Sequence, residues 1–240
     1  PETAVDTATL ELLAQYGIRF TILAPRQAKS VRRDGEGEWR DVSGEAVDPQ
    51  RAYRCRLPSG KEIAVFFYDG PVSKEIAFSD LLGDGRRFSD RLMSVFQEDN
   101  GPRLVNIATD GESYGHHHRF GEMALAFCLE DIQKNGSAQA TVYGEFLDRF
   151  PPEYEAEIFE NSSWSCVHGV ERWRADCGCH SGGHPHWHQQ WRKPLRNALD
   201  WLRDELAGIY EEKGKRFLKD VWAARNEYID VVLNRDIQAR

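Results

Sequence analysis

Hydrophobic and polar positions alternate in short blocks whose period changes several times along the chain. Asp6 precedes Leu10, Leu13 and Ala14, which share one helical face, and Gly17 follows. This predicts a capped helix ending near Gln15. Residues 18–23 read as a strand, and the polar, Gly-rich residues 33–52 as a surface loop or hairpin. Residues 53–57 and 62–68 predict two strands joined through Pro58-Ser59-Gly60. Residues 73–82 and 86–97 have helical spacing. Residues 104–109 read as a short strand. The run Leu104, Val105, Ile107 is continuous enough to predict burial on both faces, as in a parallel sheet. Phe120, Met123, Ala124, Phe127 and Cys128 recur at i, i+3, i+4, i+7 and i+8, which predicts a helix over 119–134. Residues 140–143 and 155–159 read as strands. No period is visible over 161–188. Two long helices, about 190–213 and 215–234, end the chain, with Leu195, Leu199, Leu202, Leu206 and Ile209 in one stripe.

Strands alternating with helices predict an α/β class with a parallel sheet or barrel, and the closing helices an appended helical layer. At 240 residues the chain is long enough for one to two domains. The change of pattern near residue 160 divides it into an α/β part, 1–160, and a loop-and-helix part, 161–240.

Composition narrows the function classes. The net charge is −8, which disfavours wrapping nucleic acid or docking on anionic lipid. The longest apolar stretch, 63–68, is far short of the ~20 residues that span a bilayer, and no signal-like segment is present. A cytoplasmic location without membrane partners is the expectation. Five cysteines, two of them separated by one residue, do not suggest a disulfide scaffold. All eight histidines lie between His116 and His188, and five of seven tryptophans between Trp164 and Trp201. The chemistry is therefore concentrated in the middle of the chain.

Within that region, an apolar run leads straight into Asp110-Gly111-Glu112. Functional groups of parallel α/β folds sit at the carboxyl ends of strands, where an acid can be desolvated and made a proton donor. The plainer role is capping of the next helix. His116, His117 and His118 are consecutive and cannot share one helical face; one or two of them can reach a cleft and hydrogen-bond a polar ligand. A second cluster holds Cys166, His168, Cys177, Cys179, His180, His184, His186 and His188, all metal-capable types. Its Cys-x-Cys-His spacing differs from the Cys-x-x-Cys of zinc knuckles, and a Gly-rich loop with solvated histidines is the plainer reading. Trp164, Trp173, Trp187 and Trp191 can be core, or flat platforms on which the apolar faces of sugar rings stack. Phosphate-cradling and nucleophile-elbow motifs are absent.

The stretch Asp110-Gly111-Glu112-Ser113-Tyr114-Gly115-His116 resembles the general-acid motif of the family-57 glycoside hydrolases. Those α-glucan enzymes carry D-x-E-x-F-G, often followed by H-W-W. Tyr114 stands here in place of Phe, and His117 and His118 in place of the two Trp. Pro1-Glu2 resembles the end of the W-L-P-E motif that bears the nucleophile. Glu160-Asn161-Ser162-Ser163-Trp164, with Trp173 beyond, is similar to the E-G-S-W-G…W segment of branching-enzyme members. The closest resemblance is to a subfamily with this catalytic half and a Trp-rich, Cys-x-Cys loop. The family's first motif, a His-x-His strand end, has no counterpart, so the chain resembles the C-terminal part of a larger protein with an incomplete active site.

The resemblance implies a partial (β/α)-type barrel with an appended helical layer. It implies a retaining hydrolase or glucanotransferase on α-glucans, with Glu2 as nucleophile and Asp110 as general acid/base. Glu112, Tyr114, His116, His117, Trp164 and Trp173 would bind substrate. Glu2 and Asp110 would face one cleft, walled by Trp164 and by His116 or His117. No metal and no cofactor are implied, the partner is an α-glucan or maltooligosaccharide rather than nucleic acid or membrane, and the oligomeric state stays open. Two other readings are a metal-binding module built on the Cys/His-rich loop and a catalytically inactive glucan-binding relative.

Overall fold

The computed structural model describes residues 4–96, 101–136, 138–179 and 183–234. The chain divides into an α/β unit, Pro1–Val170, and a helical unit, Glu171–Arg240.

The α/β unit opens with α1 (Thr7–Gln15). The Asp6 carboxylate accepts from the Thr9 N–H, and Gly17 follows at φ +77°, as the cap residues predict. Then come β1 (Phe20–Leu23), β2 (Ala28–Arg33), β3 (Arg40–Asp41), β4 (Ala52–Arg56) and β5 (Glu62–Phe67). The β4–β5 hairpin turns where Pro58-Ser59-Gly60 predicted, with Gly60 at φ +82°. Next are α2 (Gly70–Phe78), α3 (Gly85–Met93), α4 (Gly121–Asn135), α5 (Tyr143–Arg149) and β6 (Tyr154–Ile158).

The six strands form one sheet in the order β1-β5-β4-β6-β2-β3. It is mixed rather than parallel: only β1·β5 and β4·β6 run parallel, and the other three pairings are antiparallel. With β1 and β3 at its edges, the sheet is open among the described residues. The expectation of a parallel sheet failed because two of its strands come from a hairpin. A third, β2, was absent from the apolar pattern altogether. Its sequence, Ala-Lys-Ser-Val-Arg-Arg, is mostly polar, and it is held by antiparallel pairing with β6 and β3.

β5 explains why its sequence runs apolar without alternation. Ile63, Val65 and Phe67 face a core shared with Leu10, Leu23, Val31, Tyr53 and Cys55. Phe66 faces the other way, against Ala52, Phe146 and Leu147. Burial on both faces removes the period-2 signal. Burial also pushes the Cys55 thiol up to about 12, and its sulfur lies 3.2 Å from the Ala156 carbonyl as a donor. Further along the sheet the second face is charged: Glu155, nearly buried, accepts from Arg32 and Arg56 at 2.7–2.9 Å.

The helices α2, α3 and α4 pack around Val72, Ile76, Leu82, Phe88, Ala124 and Cys128. The stripe expected on α4 is only half right. Ala124 and Cys128 are buried, whereas Phe120, Met123 and Phe127 are exposed. The helix starts after Phe120, which sits at φ +65° outside it, and Gly121 replaces the aromatic at the contact with Leu82. The strand expected over 140–143 is not formed. Tyr143 instead begins α5, its ring 4.7 Å from that of Phe66.

The helical unit contains α6 (Glu171–Arg174), α7 (Arg192–Gly214) and α8 (Val221–Leu233). Asp220 caps α8 through the Trp222 and Ala223 N–H groups. Tyr210 of α7 donates to the Val221 carbonyl at 2.7 Å. The Leu195–Ile209 stripe predicted on α7 is present but exposed. Among the described residues no helix is long and apolar enough to cross a membrane.

Candidate active site

Asp110 ends an extended stretch, 104–109, that is not a β-strand among the described residues. Three of its backbone groups are bonded singly, each to a different segment. The Leu104 N–H donates to the Gln50 carbonyl at 3.1 Å, the Asn106 carbonyl accepts from the Asp69 N–H at 2.8 Å, and the Ala108 N–H donates to Ser73 Oγ at 3.0 Å. These partners lie just before β4, just after β5 and within α2, so no single neighbour runs alongside to form a ladder. Burial is also less than the apolar run predicts: of the stretch, only Asn106 is buried. Leu104 packs on the Phe66–Phe146 cluster and Ile107 on the Val72–Phe88 cluster. A cavity of about 520 Å³ borders Leu104, Val105 and Ile107, with Leu129, Ile132 and Phe146 also lining it.

Asn106 is the residue that the pattern passed over. Its Nδ2 donates to the Pro49 and Phe67 carbonyls at 2.9 and 3.3 Å, and its Oδ1 accepts from the Tyr143 hydroxyl at 3.3 Å. The signal was a lone amide inside an apolar run. A buried amide must be satisfied by specific partners, and here those partners fix the stretch that delivers Asp110.

Asp110 itself is exposed and extended, with φ −65° and ψ 142°. Its carbonyl accepts from the Ser113 N–H at 3.0 Å and opens a single 3₁₀ turn. Its carboxylate makes no capping bond to that turn, so the plainer capping role does not hold. The desolvation expected at this acid is not supplied by the described residues. Glu112, also exposed, offers its carbonyl to the N–H groups of both His116 and His117. Tyr114 is half-buried, and its hydroxyl accepts from Thr109 Oγ1 at 3.1 Å. The His116 and His117 rings stack at 4.8 Å and stand exposed. His118 turns away, with Nε2 3.1 Å from the Ala77 carbonyl.

One turn, 109–118, therefore presents Asp110, Glu112, Tyr114, His116 and His117. Trp164, partly exposed, lies on the loop after β6. That loop is tied to the start of the chain: Val5 and Ser162 exchange two backbone bonds of 3.0 and 3.1 Å, and Glu160 accepts from the Thr7 N–H. Trp173 lies in α6 of the helical unit. Glu2 and His180 fall outside the described residues.

The Cys/His-rich stretch resolves differently from its composition. Of its eight metal-capable residues, Cys166, His168, Cys177 and Cys179 have ligand atoms that all lie within 4.8 Å of one another. His184, His186 and His188 are exposed and are not part of this group; the His184 ring instead lies tilted against Trp187, 4.8 Å between centroids.

The mixed α/β architecture is shared with two solved structures. One is an exo-type maltose-forming amylase from Pyrococcus sp. ST04, with TM-score 0.66 and 16% identity over 95% of this chain and 41% of that one. The other is a 4-α-glucanotransferase from Thermococcus litoralis, with TM-score 0.53 and 17% identity over 95% of this chain and 31% of that one. The chain thus spans less than half the length of either. At such identities the likeness establishes the fold alone. Sequence establishes the family: the Glycosyl hydrolase family 57 model matches residues 1–158, and the chain belongs to that family. Residues 187–240 match a Domain of unknown function (DUF3536). No curated protein matches the chain.

Proposed function

We propose that the natural protein is a retaining α-glucan enzyme, a hydrolase or a glucanotransferase, in which Glu2 is the nucleophile and Asp110 the general acid/base. Family membership over 1–158 supports the reaction class. The single observation that carries the role of Asp110 is its placement: an uncapped, outward carboxylate at the end of a stretch anchored from behind by Asn106. A structural acid would be spent on a cap or an ion pair.

In this reading Glu2 attacks the anomeric carbon while Asp110 protonates the glycosidic oxygen. The same aspartate then takes a proton from water or from an incoming sugar hydroxyl. Retention requires the two carboxyl groups about 5–5.5 Å apart. Glu112, Tyr114, His116 and His117 supply hydrogen bonds to sugar hydroxyls from the same turn. Trp164 is a stacking platform, and Trp173 a further one carried by the helical unit. The bonds between Val5 and Ser162 favour this arrangement, because they hold the segment following Glu2 against the loop that carries Trp164. A (β/α)-type barrel completed by residues outside this chain is part of the same proposal.

The test is turnover of a maltooligosaccharide by the natural full-length protein, with the anomeric configuration of the first product followed by NMR. Glu2→Gln and Asp110→Asn should each abolish nearly all turnover, and the first product should keep the α configuration. Inversion, or normal turnover in either variant, would remove the two-carboxylate assignment. Glucan affinity without turnover in the unmodified protein would select a binding role instead.

A further inference from the structure

The stretch 166–179 folds back on itself so that four ligand-bearing side chains meet. We propose that Cys166, His168, Cys177 and Cys179 form a structural zinc site with three thiolates and one imidazole. The inference is independent of the α-glucan reading, since no step of that chemistry uses these residues.

Distances come first. Zn–S bonds of about 2.3 Å and Zn–N bonds of about 2.0–2.1 Å place tetrahedral ligand atoms roughly 3.4–3.8 Å apart. Cys166 Sγ and His168 Nδ1 are 3.7 Å apart, which is already one edge of that tetrahedron. All four atoms lie within 4.8 Å, so the remaining edges close by about an ångström or less, a change that side-chain rotation supplies.

The backbone is shaped for this convergence. After His168 the chain reverses at Gly169, φ +61°, with the Gly169 N–H on the Cys166 carbonyl and the Val170 N–H on the Asn161 carbonyl, both at 2.9 Å. The single turn of α6 follows. Gly178, φ +76°, separates the last two cysteines. In an extended Cys-x-Cys strand the two side chains share a face but stand about 6.6 Å apart along the chain, and a left-handed residue between them bends the backbone so that both can reach one point. This is how the motif serves without Cys-x-x-Cys spacing.

The donors around the sulfurs fit thiolates. The His168 N–H donates to Cys166 Sγ at 3.4 Å, and Arg192 Nη1 lies 3.8 Å from Cys177 Sγ. Such groups stabilise charged sulfur and orient it. Three thiolates on Zn²⁺ leave one net negative charge, which the Arg192 guanidinium balances. Loading releases the three thiol protons to solvent, with no change of oxidation state. A thiolate-rich set with one imidazole selects zinc over the oxygen-seeking Mg²⁺ and Ca²⁺. Four protein ligands fill the tetrahedron, with Cys166 buried, Cys177 and Cys179 half-buried and His168 exposed, and no position is left open for a substrate, so the site is structural rather than catalytic. It closes the loop that carries Trp173.

The experiment uses the tag-free 240-residue chain, purified under reducing conditions. Elemental analysis should give one zinc per chain, lost from Cys177→Ser/Cys179→Ser and from His168→Asn and kept in His184→Asn, which alters a neighbouring exposed histidine. Cobalt(II) added to the metal-free wild type should give the intense visible bands of a tetrahedral ion and a thiolate charge-transfer band sized for three sulfurs. This readout needs no variant to fold. Sub-stoichiometric zinc together with an octahedral cobalt spectrum would overturn the proposal. So would zinc retained in the double cysteine variant, or a thiol count showing these cysteines paired as disulfides in a parallel preparation made without reductant.

Discussion

In the segment 104–118 the holding bonds come from behind. Asn106 reaches the Pro49 and Phe67 carbonyls, Ala108 reaches Ser73, and the side chains that follow, Asp110, Glu112, His116 and His117, are left facing solvent. In the segment 161–179 the chain holds itself. Val170 bonds back to Asn161, Gly169 bonds back to Cys166, and the side chains turn onto one another. Both are irregular, and both concentrate titratable groups. Outward groups on a rigid backing are available to a ligand and contribute little to stability. Inward groups that satisfy one another are part of the fold, and substituting them acts on stability first. A residue's part in either segment can thus be told by which quantity its replacement moves.

The largest expected effect is at Asp110. In the natural full-length protein Asp110→Asn should lower turnover by about 10²–10⁴-fold, the usual contribution of a positioned acid or base. It should shift unfolding free energy by no more than about 0.5 kcal/mol, because the carboxylate is exposed and caps nothing. Activity and denaturant melts on the same preparation check it. A loss of stability in step with activity would move Asp110 to the holding set and erase the contrast.

Gly169→Ala should be the largest purely structural effect, about 2–4 kcal/mol in urea unfolding. The residue must leave φ +61°, and an added Cβ would run into the Asn161 carbonyl oxygen, which also receives the Val170 N–H. If the alanine variant melts as the wild type does, the loop is not held by its own backbone.

Asn106→Ala comes next, at about 2–3 kcal/mol. It leaves two buried carbonyls and the Tyr143 hydroxyl without their amide partner, each at about 1 kcal/mol. In the full-length protein it should also lower kcat more than it raises KM, since it loosens the backing of Asp110 without touching substrate. Asn106→Asp keeps Oδ1 and loses both donors, so it should not restore stability.

These residues also show what was legible in the sequence. Asp6, Gly17 and Pro58-Ser59-Gly60 marked their elements because caps and turns are local chemistry. Asp110 was visible because an apolar run ended on it. The sheet was harder to read. β2 has few apolar residues and exists through its pairing partners, and Tyr143 begins a helix because Phe20 and Phe66 offer its ring a packing site. Residues 104–109 have the composition of a strand, but no neighbour among the described residues runs beside them, and composition cannot report a missing neighbour. Four converging ligands could not be told from eight candidate ligands, because the selection is made by the left-handed turns at Gly169 and Gly178. A lone glycine between two cysteines does not announce its φ.

The smallest effect should come from the outer surface of the second segment, and its sign is fixed by pH. Arg174 donates to the Glu171 carboxylate across the one turn of α6, with Nε at 2.7 Å, and this bond holds the Glu171 carboxyl below the ordinary glutamate range. A group whose folded-state pKa is depressed stabilises the fold above its unfolded value near ~4.3 and ceases to do so as pH falls through the folded value. Glu171→Gln should therefore lower the melting temperature slightly at pH 7, and the gap from wild type should close as the pH is brought below the folded value. Arg174 is exposed and Glu171 partly so, so added salt should narrow the gap at pH 7 as well. A gap that instead widens on acidification would mean that Glu171 is protonated more readily in the fold than outside it. A gap as large as that of Gly169→Ala would mean that the segment is held by its surface charges rather than by its backbone and inward side chains.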